Sequence, residues 1–458
     1  NMYSIHTFLL QKELFRSSEP VKTSVVSSFT DTPALQQIAR QADSDYILFY
    51  TGTSPIELHP YAIGRMYQIA ESNDGALFYS DYQEIRQGKK IHHPTLEYQT
   101  GSIRNDFDFG QLLLFRNDSF QQVVAQMNTD YRFAALYELR LSISRLGKIV
   151  HIPETLYTVQ PTDLRLSGEK QFDYVDPANR EVQLEMEAVC TAHLQAIGAW
   201  LAPEFQRIDF GQENFAREAS VIIPVRNRKR TIAEAVESAL QQQTDFSFNV
   251  IVVDNHSTDG TGQILTELSR RYPNLIHHIP ASTELGIGGC WTEAILLPEC
   301  GKFAIQLDSD DLYKDCHVLQ RIVDTFYQEN CAMVIGSYQM VDFKLEEIPP
   351  GLIAHREWTP DNGRNNALRI NGLGAPRAFY TPVLRQIKFP NVSYGEDYAT
   401  ALAISRKYLI ARIYDPLYLC RRWEENSDHD LDIQQLNNYN FYKDKIRTLE
   451  IQARISGK

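Results

Sequence analysis

The feature that most constrains this chain is an internal repeat. Asp45 to Ser54 (DYILFYTGTS) matches Lys302 to Asp311 (KFAIQLDSDD) as a short apolar strand running into a polar turn. Further on, Ala76 to Tyr82 (ALFYSDY) matches Ala332 to Tyr338 (AMVIGSY), and Leu136 to Arg145 (LYELRLSISR) matches Asp397 to Arg406 (DYATALAISR). Both series reach a Leu-Tyr pair, Leu156-Tyr157 and Leu417-Tyr418. Matches in one order and at similar spacing imply two copies of one architecture. A chain of 458 residues has room for two or three domains. Asn179 to Trp200 has apolar residues at helical spacing, and Leu431 to Ile455 is also helix-like. Ala202 to Glu218, with Pro203 and Gly211, reads as the linker. The expected division is 1–201, linker 202–218, 219–430 and a C-terminal helix 431–458.

The second copy opens with alternating strand and helix patterns. Ser220 to Pro224 (SVIIP), Asn249 to Val253 (NVIVV) and Phe303 to Leu307 read as buried strands. Thr231 to Gln241 and Thr261 to Tyr272 read as helices. This predicts an α/β fold with a mostly parallel sheet and helices on both faces. Ligands of such sheets bind beyond the carboxyl ends of the strands. Pro224 to Arg228, Asp254 and Asp308 to Asp310 all follow strand ends, so one crevice can gather them. Only about 45 residues precede the Tyr46 strand of the first copy, against about 80 between Ser220 and Phe303. That leaves space for about one strand–helix unit.

Composition narrows the function. The net charge is -13, which argues against a nucleic-acid partner. Six cysteines without a C-x-x-C pair read as reduced thiols of an intracellular protein. No apolar run is long enough to span a bilayer. Met2 to Phe15 is broken by His6, Gln11, Lys12 and Glu13 and makes a poor signal peptide; Asn1 ahead of Met2 reads as an addition. The expectation is a cytoplasmic protein, with peripheral contact at the inner face of the membrane left open. Oligomeric state is not legible.

Four features carry chemistry, and each also has a plain structural reading. Asp308-Ser309-Asp310-Asp311 offers hard oxygen ligands for Mg²⁺ or Mn²⁺ shared with a diphosphate, or is a solvated acidic turn. Asp254 in Asp254 to Gly260 (DNHSTDG) can accept from a base or ribose, or starts a turn and helix cap. Pro224 to Arg230 (PVRNRKR) brings cations to a strand end and a helix start, or is a solvated basic loop. Gly395-Glu396-Asp397 can supply a general base for an acceptor hydroxyl, or caps a helix.

Taken in order, SVIIPVRN, VVDNHSTDGT, LDSDD, GED and RRWEENS resemble family 2 of the glycosyltransferases, over about Ser220 to Ser427. The resemblance implies a GT-A fold and an inverting transferase. Its donor would be a nucleoside-diphosphate sugar, UDP-sugar favoured, with Mn²⁺ or Mg²⁺, and its acceptor a glycan or lipid-linked glycan in polysaccharide or surface-glycan synthesis. It implies that Asp254 contacts the nucleobase in a pocket lined by Pro224 and Arg226, with Asn227 beside them. It implies further that Asp308 contacts the ribose or sugar, Asp310 binds the metal, and Asp397 is the base, with Glu396 shaping the acceptor site.

The sequence departs from the family pattern at two places. Gly289-Cys290-Trp291-Thr292 stands where the family often has Ala-Arg-Asn, so Trp291 replaces a donor-binding Arg and could stack instead. In Arg421 to Ser427, Glu424 stands where a His is usual, which makes it a metal-ligand candidate with His429 as rival. The first copy looks stripped: Thr51-Gly52-Thr53 stands for the acidic motif and Leu136 for Asp397, so no transfer is expected there. Asp81 and Asp130 remain as lone carboxylates. Phe49, Tyr50, Tyr79 and Tyr82 are either glycan platforms or core. The alternative is a catalytically inactive nucleotide-sugar or glycan-binding scaffold. A Rossmann dehydrogenase fits less well, because Gly286-Ile287-Gly288-Gly289 does not follow the first strand.

Overall fold

In the computed structural model of the chain, residues 3–160, 179–423, 426 and 431–457 are described. Two units form, Asn1–Trp200 with Leu431–Lys458, and Leu201–Asp430. The C-terminal helix therefore belongs with the first unit, although it follows the second in sequence.

In the first unit the strands are β1 (Ile5–Leu9), β2 (Lys22–Val25), β3 (Tyr46–Tyr50), β4 (Glu57–Leu58), β5 (Gly75–Arg86), β6 (Lys89–His93), β7 (Leu112–Arg116) and β8 (Lys148–Val159). They lie in the order β2-β1-β3-β7-β5-β8-β4, with β6 on β5. All five residues of β3 are buried on both faces, which is why YILFY shows no polar alternation. Phe49, Tyr50, Tyr79 and Tyr82 are all buried, so they build the core and offer no platform.

The second unit contains β9 (Ala219–Val225), β10 (Phe248–Asp254), β11 (Leu275–His278), β12 (Phe303–Gln306), β13 (Leu312–Tyr313), β14 (Met333–Val341), β15 (Glu347–Ile353), β16 (Arg377–Tyr380) and β17 (Ile410–Arg421). Their order is β11-β10-β9-β12-β16-β14-β17-β13, with β15 on β14. The α/β class holds in both units. The parallel part is confined to β11-β10-β9-β12 and the β14–β17 pair. β16 enters antiparallel between β12 and β14, which makes the sheet mixed.

The two sheets correspond strand for strand. β2-β1-β3-β7-β5-β8-β4 matches β10-β9-β12-β16-β14-β17-β13, and β6 matches β15, with the same parallel or antiparallel sense at each pairing. Among its described residues the first unit has no counterpart of β11, and the single helix Thr32–Gln41 joins β2 to β3. A single short turn of helix, Lys12–Leu14, separates β1 from β2. Two strands thus fit into the short front segment because a full helix between them is dispensed with.

Residues 202–218 are docked on the second unit. Phe210 packs edge-on against Phe303, Tyr327 and Tyr380, and Asn330 exchanges two hydrogen bonds of 2.9 Å with the backbone of Ile208. Pro203 and Gly211 suggested a linker, but the aromatic anchor at Phe210 gives this stretch apolar area to bury. Among the described residues, no helix is long and apolar enough to cross a membrane.

Candidate functional site

The neighbouring parallel strands β10, β9 and β12 end on one edge of the second sheet. Asp254 pairs in register with Val225, and the amide of Leu307 donates to Ile222. This edge carries Pro224, Arg226, Asn227, Asp254, Asp308 and Asp310. Asp254 is buried, which raises its pKa. Hydrogen bonds from Nε2 of His277 (3.2 Å) and the amide of Ser257 (2.9 Å) outweigh that and hold the carboxyl below its ordinary value. Arg226 is exposed beside it. Asn227 is occupied in joining two loops. Its amide donates to Ser257 Oγ (2.9 Å), and its Oδ1 accepts from the amide of Thr258 (2.8 Å).

Gln306 Nε2 donates to both carboxylate oxygens of Asp308, at 3.0 and 3.1 Å, and the Asp308 amide donates to Tyr418 Oη at 2.9 Å. Burial raises the pKa of Asp308 against the opposing charge of Arg377. Asp311 is pushed well above the carboxylate range, first by burial and then by the charges of Asp310 and Asp308. Asp310 Oδ2 accepts from Trp423 Nε1 (3.0 Å) and Asn426 Nδ2 (3.3 Å), and Arg228 Nε lies 3.9 Å from the same oxygen. Buried Arg421 supports this turn from below. It donates to the Asp310 carbonyl and pairs with Glu234, and its own amide donates to Asp311 Oδ1 at 2.8 Å.

The Gly395-Glu396-Asp397 segment opens the helix Glu396–Ser405. Nη1 of Arg377 lies 2.7 Å from Asp397 Oδ2, and the Tyr398 amide donates to Asp397 Oδ1 at 2.8 Å. The charges of Asp397, Asp308 and Glu396 all act on Arg377, so this guanidinium ties the two acidic motifs together. The motifs did not point to Arg377; a charge opening the buried strand β16 was the available signal.

Glu396 is 9% exposed, and its Oε2 has no hydrogen-bond partner. Burial, then the neighbouring charge of Asp397, raises its pKa to about 8. A carboxyl whose folded pKa exceeds its unfolded value stabilises the fold less as pH rises between the two. The wild-type protein is therefore expected to lose stability from about pH 4.5 to about pH 8 that a Glu396→Gln protein retains. Paired urea titrations at pH 5 and pH 8 check this, and equal losses in the two proteins would refute it.

Trp291 lies in the packed interior of the second unit. It is 5% exposed and packs against Phe379 and Phe389, at ring distances of 5.7 and 5.2 Å. The reason is the glycine run before it. A side chain at Gly288 would overlap the Pro390 carbonyl, so the helix Ile287–Leu296 lies flush on residues 390–393 and turns the indole into the core. Glu424 and His429 lie outside the described residues.

In the first unit the matching strand end is filled. The Tyr50 hydroxyl donates to the Ser54 carbonyl, and a side chain at Gly52 would overlap Gln111 and Tyr50. Tyr157 Oη accepts from the Gln111 amide at 2.7 Å, as Tyr418 does from Asp308. Asp81 is no surface carboxylate: it is buried with Thr95 and His151, while Asp130 is exposed.

Comparison with known proteins agrees with the motif order. An uncharacterized glycosyltransferase of Nostoc is 32% identical over 27% of this chain and 37% of its own length. A poly(ribitol-phosphate) beta-glucosyltransferase of Bacillus spizizenii is 24% identical over 49% of this chain and 35% of its own. The chain thus spans about a third of the length of these curated relatives. Among solved structures, S. aureus TarS 1–349 in complex with UDP-GlcNAc is similar at a TM-score of 0.40 and 23% identity, covering 52% of this chain and 72% of that one. The sequence profile of Glycosyl transferase family 2 matches Ser220 to Ile387, the stretch that supplies the strand-end motifs from Pro224 to Asp310. Residues 220–387 form a glycosyl transferase family 2 domain.

Proposed function

We propose that the second unit transfers a sugar, with inversion, from a nucleoside-diphosphate sugar to a hydroxyl of a glycan or lipid-linked acceptor in the synthesis of a surface polymer. UDP is the favoured nucleotide. The observation that carries this reading is Arg377, which pairs with Asp397 while sharing its field with Asp308. The candidate base and the donor motif are thereby one electrostatic unit. The polymer setting follows the kind of relative the chain resembles.

In this reading Asp254 accepts a hydrogen bond from the base or ribose, beside Pro224 and Arg226. Asp397 takes the proton of the acceptor hydroxyl as that oxygen bonds to the anomeric carbon. The bond from that carbon to the diphosphate breaks, and the nucleoside diphosphate leaves. Arg377, 2.7 Å from Oδ2, holds the Asp397 carboxyl in place. Glu396, beside it, borders the acceptor. Trp291 has only a packing role.

The acidic turn suits a hard divalent cation, Mn²⁺ or Mg²⁺. Three carboxylates crowd one strand end, where the charge of Asp310 helps to raise the pKa of Asp308 and Asp311, and the described side-chain contacts of Asp310 all fall on Oδ2. Asp310 would hold the ion. In this reading the donor's diphosphate would supply further oxygen ligands to the ion. Such a cation offsets charge on the departing diphosphate. The first unit, with neither acidic motif nor base, performs no transfer.

A thermal-shift screen of UDP, GDP, CMP and dTDP, with and without Mn²⁺, tests the donor site. One nucleotide is expected to stabilise the wild type in a metal-dependent way, by about 2.7 kcal/mol at a hundred times its Kd. Asp310→Ala is expected to abolish that shift. No shift with any nucleotide at millimolar concentration would favour an inactive scaffold.

A further inference from the structure

The exposed aromatics of the first unit are not those that sequence reading singled out. Tyr61 stands 78% exposed, immediately before the helix Ala62–Glu71. Its backbone is left-handed, with φ 63° and ψ 19°. That conformation is uncommon and strained for a bulky residue. The fold does not demand it. In the second unit the matching helix Val318–Glu329 starts from His317 at φ -114°. A strained tyrosine held out in solvent contributes little to stability, and such outliers gather at ligand clamps.

Tyr61 borders an open pocket of about 650 Å³ that also includes Tyr3 and Tyr67. The Tyr3 and Tyr67 rings lie 5.3 Å apart, and Tyr46 meets Tyr67 edge-on from the core. The floor depends on Gly64, since a side chain there would overlap the Tyr3 hydroxyl. Glu19 locks the same corner, accepting from the amides of Ile63 (2.9 Å) and Gly64 (2.8 Å). The remaining lining side chains are polar. Arg65 pairs with Glu154 at 2.6 Å and donates to Gln68 Oε1 at 3.4 Å, and Glu71 and Ser72 complete the rim.

We propose that this pocket binds an uncharged saccharide. A pyranose presents an apolar C–H face that packs on a tyrosine ring, and equatorial hydroxyls that pair with amide, carboxylate and guanidinium groups. An anionic ligand fits worse. The pocket's one cation, Arg65, is already neutralised by Glu154, and Glu71 adds a negative charge. The site is separate from the donor crevice and does not depend on transfer activity in the second unit.

The test uses the full chain and saturation-transfer NMR with cellotetraose, chitotetraose and maltotetraose at millimolar concentration. At least one is expected to bind the wild type. Tyr61→Ala is expected to weaken that binding by about tenfold or more, while Tyr61→Phe keeps it. Gly64→Leu, which blocks the Tyr3 floor, is expected to weaken it as well. Asp310→Ala is expected to leave it unchanged, so failure of the donor-site reading is seen apart from failure of this one. Absence of binding by all three oligosaccharides, or binding unaltered in Tyr61→Ala, overturns the proposal. So does loss of binding in Asp310→Ala alone, which would move the saccharide to the second unit.

Discussion

Replacing Asp397 by Asn is expected to lower sugar transfer by about 10²–10⁴-fold, the usual contribution of a positioned general base. Nucleotide binding should persist. Asn is nearly isosteric, and its carbonyl oxygen can still accept from the Tyr398 amide that now meets Asp397 Oδ1 at 2.8 Å. What it cannot do is take a proton or neutralise Arg377, which lies 2.7 Å from Oδ2. Arg377 keeps its hydrogen bond to the Gly374 carbonyl (2.9 Å), so the strand-end geometry has a second anchor. The loss should therefore fall on kcat, with the thermal shift from nucleotide and Mn²⁺ retained. Release of nucleoside diphosphate with the authentic acceptor, measured beside the shift, separates the two. Near wild-type turnover in Asp397→Asn would remove the base assignment.

The repeat made most of the architecture legible. Short apolar runs at matching spacing marked β3 and β12, β5 and β14, and the ends of β8 and β17. Strand-end motifs placed Asp254, Asp308 and Asp310 on one edge because parallel neighbours end together. Periodicity reports which residues are buried but not which strand lies alongside, so the antiparallel entry of β16 was hidden. Contacts across long stretches of chain were hidden for the same reason. Trp423 meets Asp310 from 113 residues away, and Arg377 meets Asp397 only because β16 and the helix Glu396–Ser405 converge. The position of Trp291 in the motif suggested a donor contact, whereas the fold packs its ring on Phe379 and Phe389. Tyr61 gave no signal at all, since residue-type preferences do not foretell a left-handed tyrosine.

Asp444→Ala is expected to destabilise the first unit by about 3–5 kcal/mol, as breaking a buried ion pair from one side does. Asp444 lies within the C-terminal helix Ile433–Ser456 and is fully buried. Its Oδ1 pairs with Arg104 Nε (3.1 Å) and Arg447 Nη1 (2.8 Å), and its Oδ2 accepts from Ser102 Oγ (3.1 Å). Arg104 and Arg447 are buried too, so removing the carboxylate leaves two guanidiniums in the interior around one deleted charge. Asp106, more exposed, also pairs with Arg104, at 2.9 Å. The stabilisation by this triad comes less from attraction than from the cost of taking one buried charge out of the network. Replacing all three together by Met and Leu should thus cost much less than Asp444→Ala. Urea unfolding with hydrogen exchange read on the β3 and β5 amides measures both in the first unit. The helix reaches this unit only after the chain has passed through the second. A fragment ending at Asp430 is therefore expected to lose first-unit protection as Asp444→Ala does. A cost below about 1 kcal/mol for Asp444→Ala would show that apolar contacts, and not this network, hold the helix.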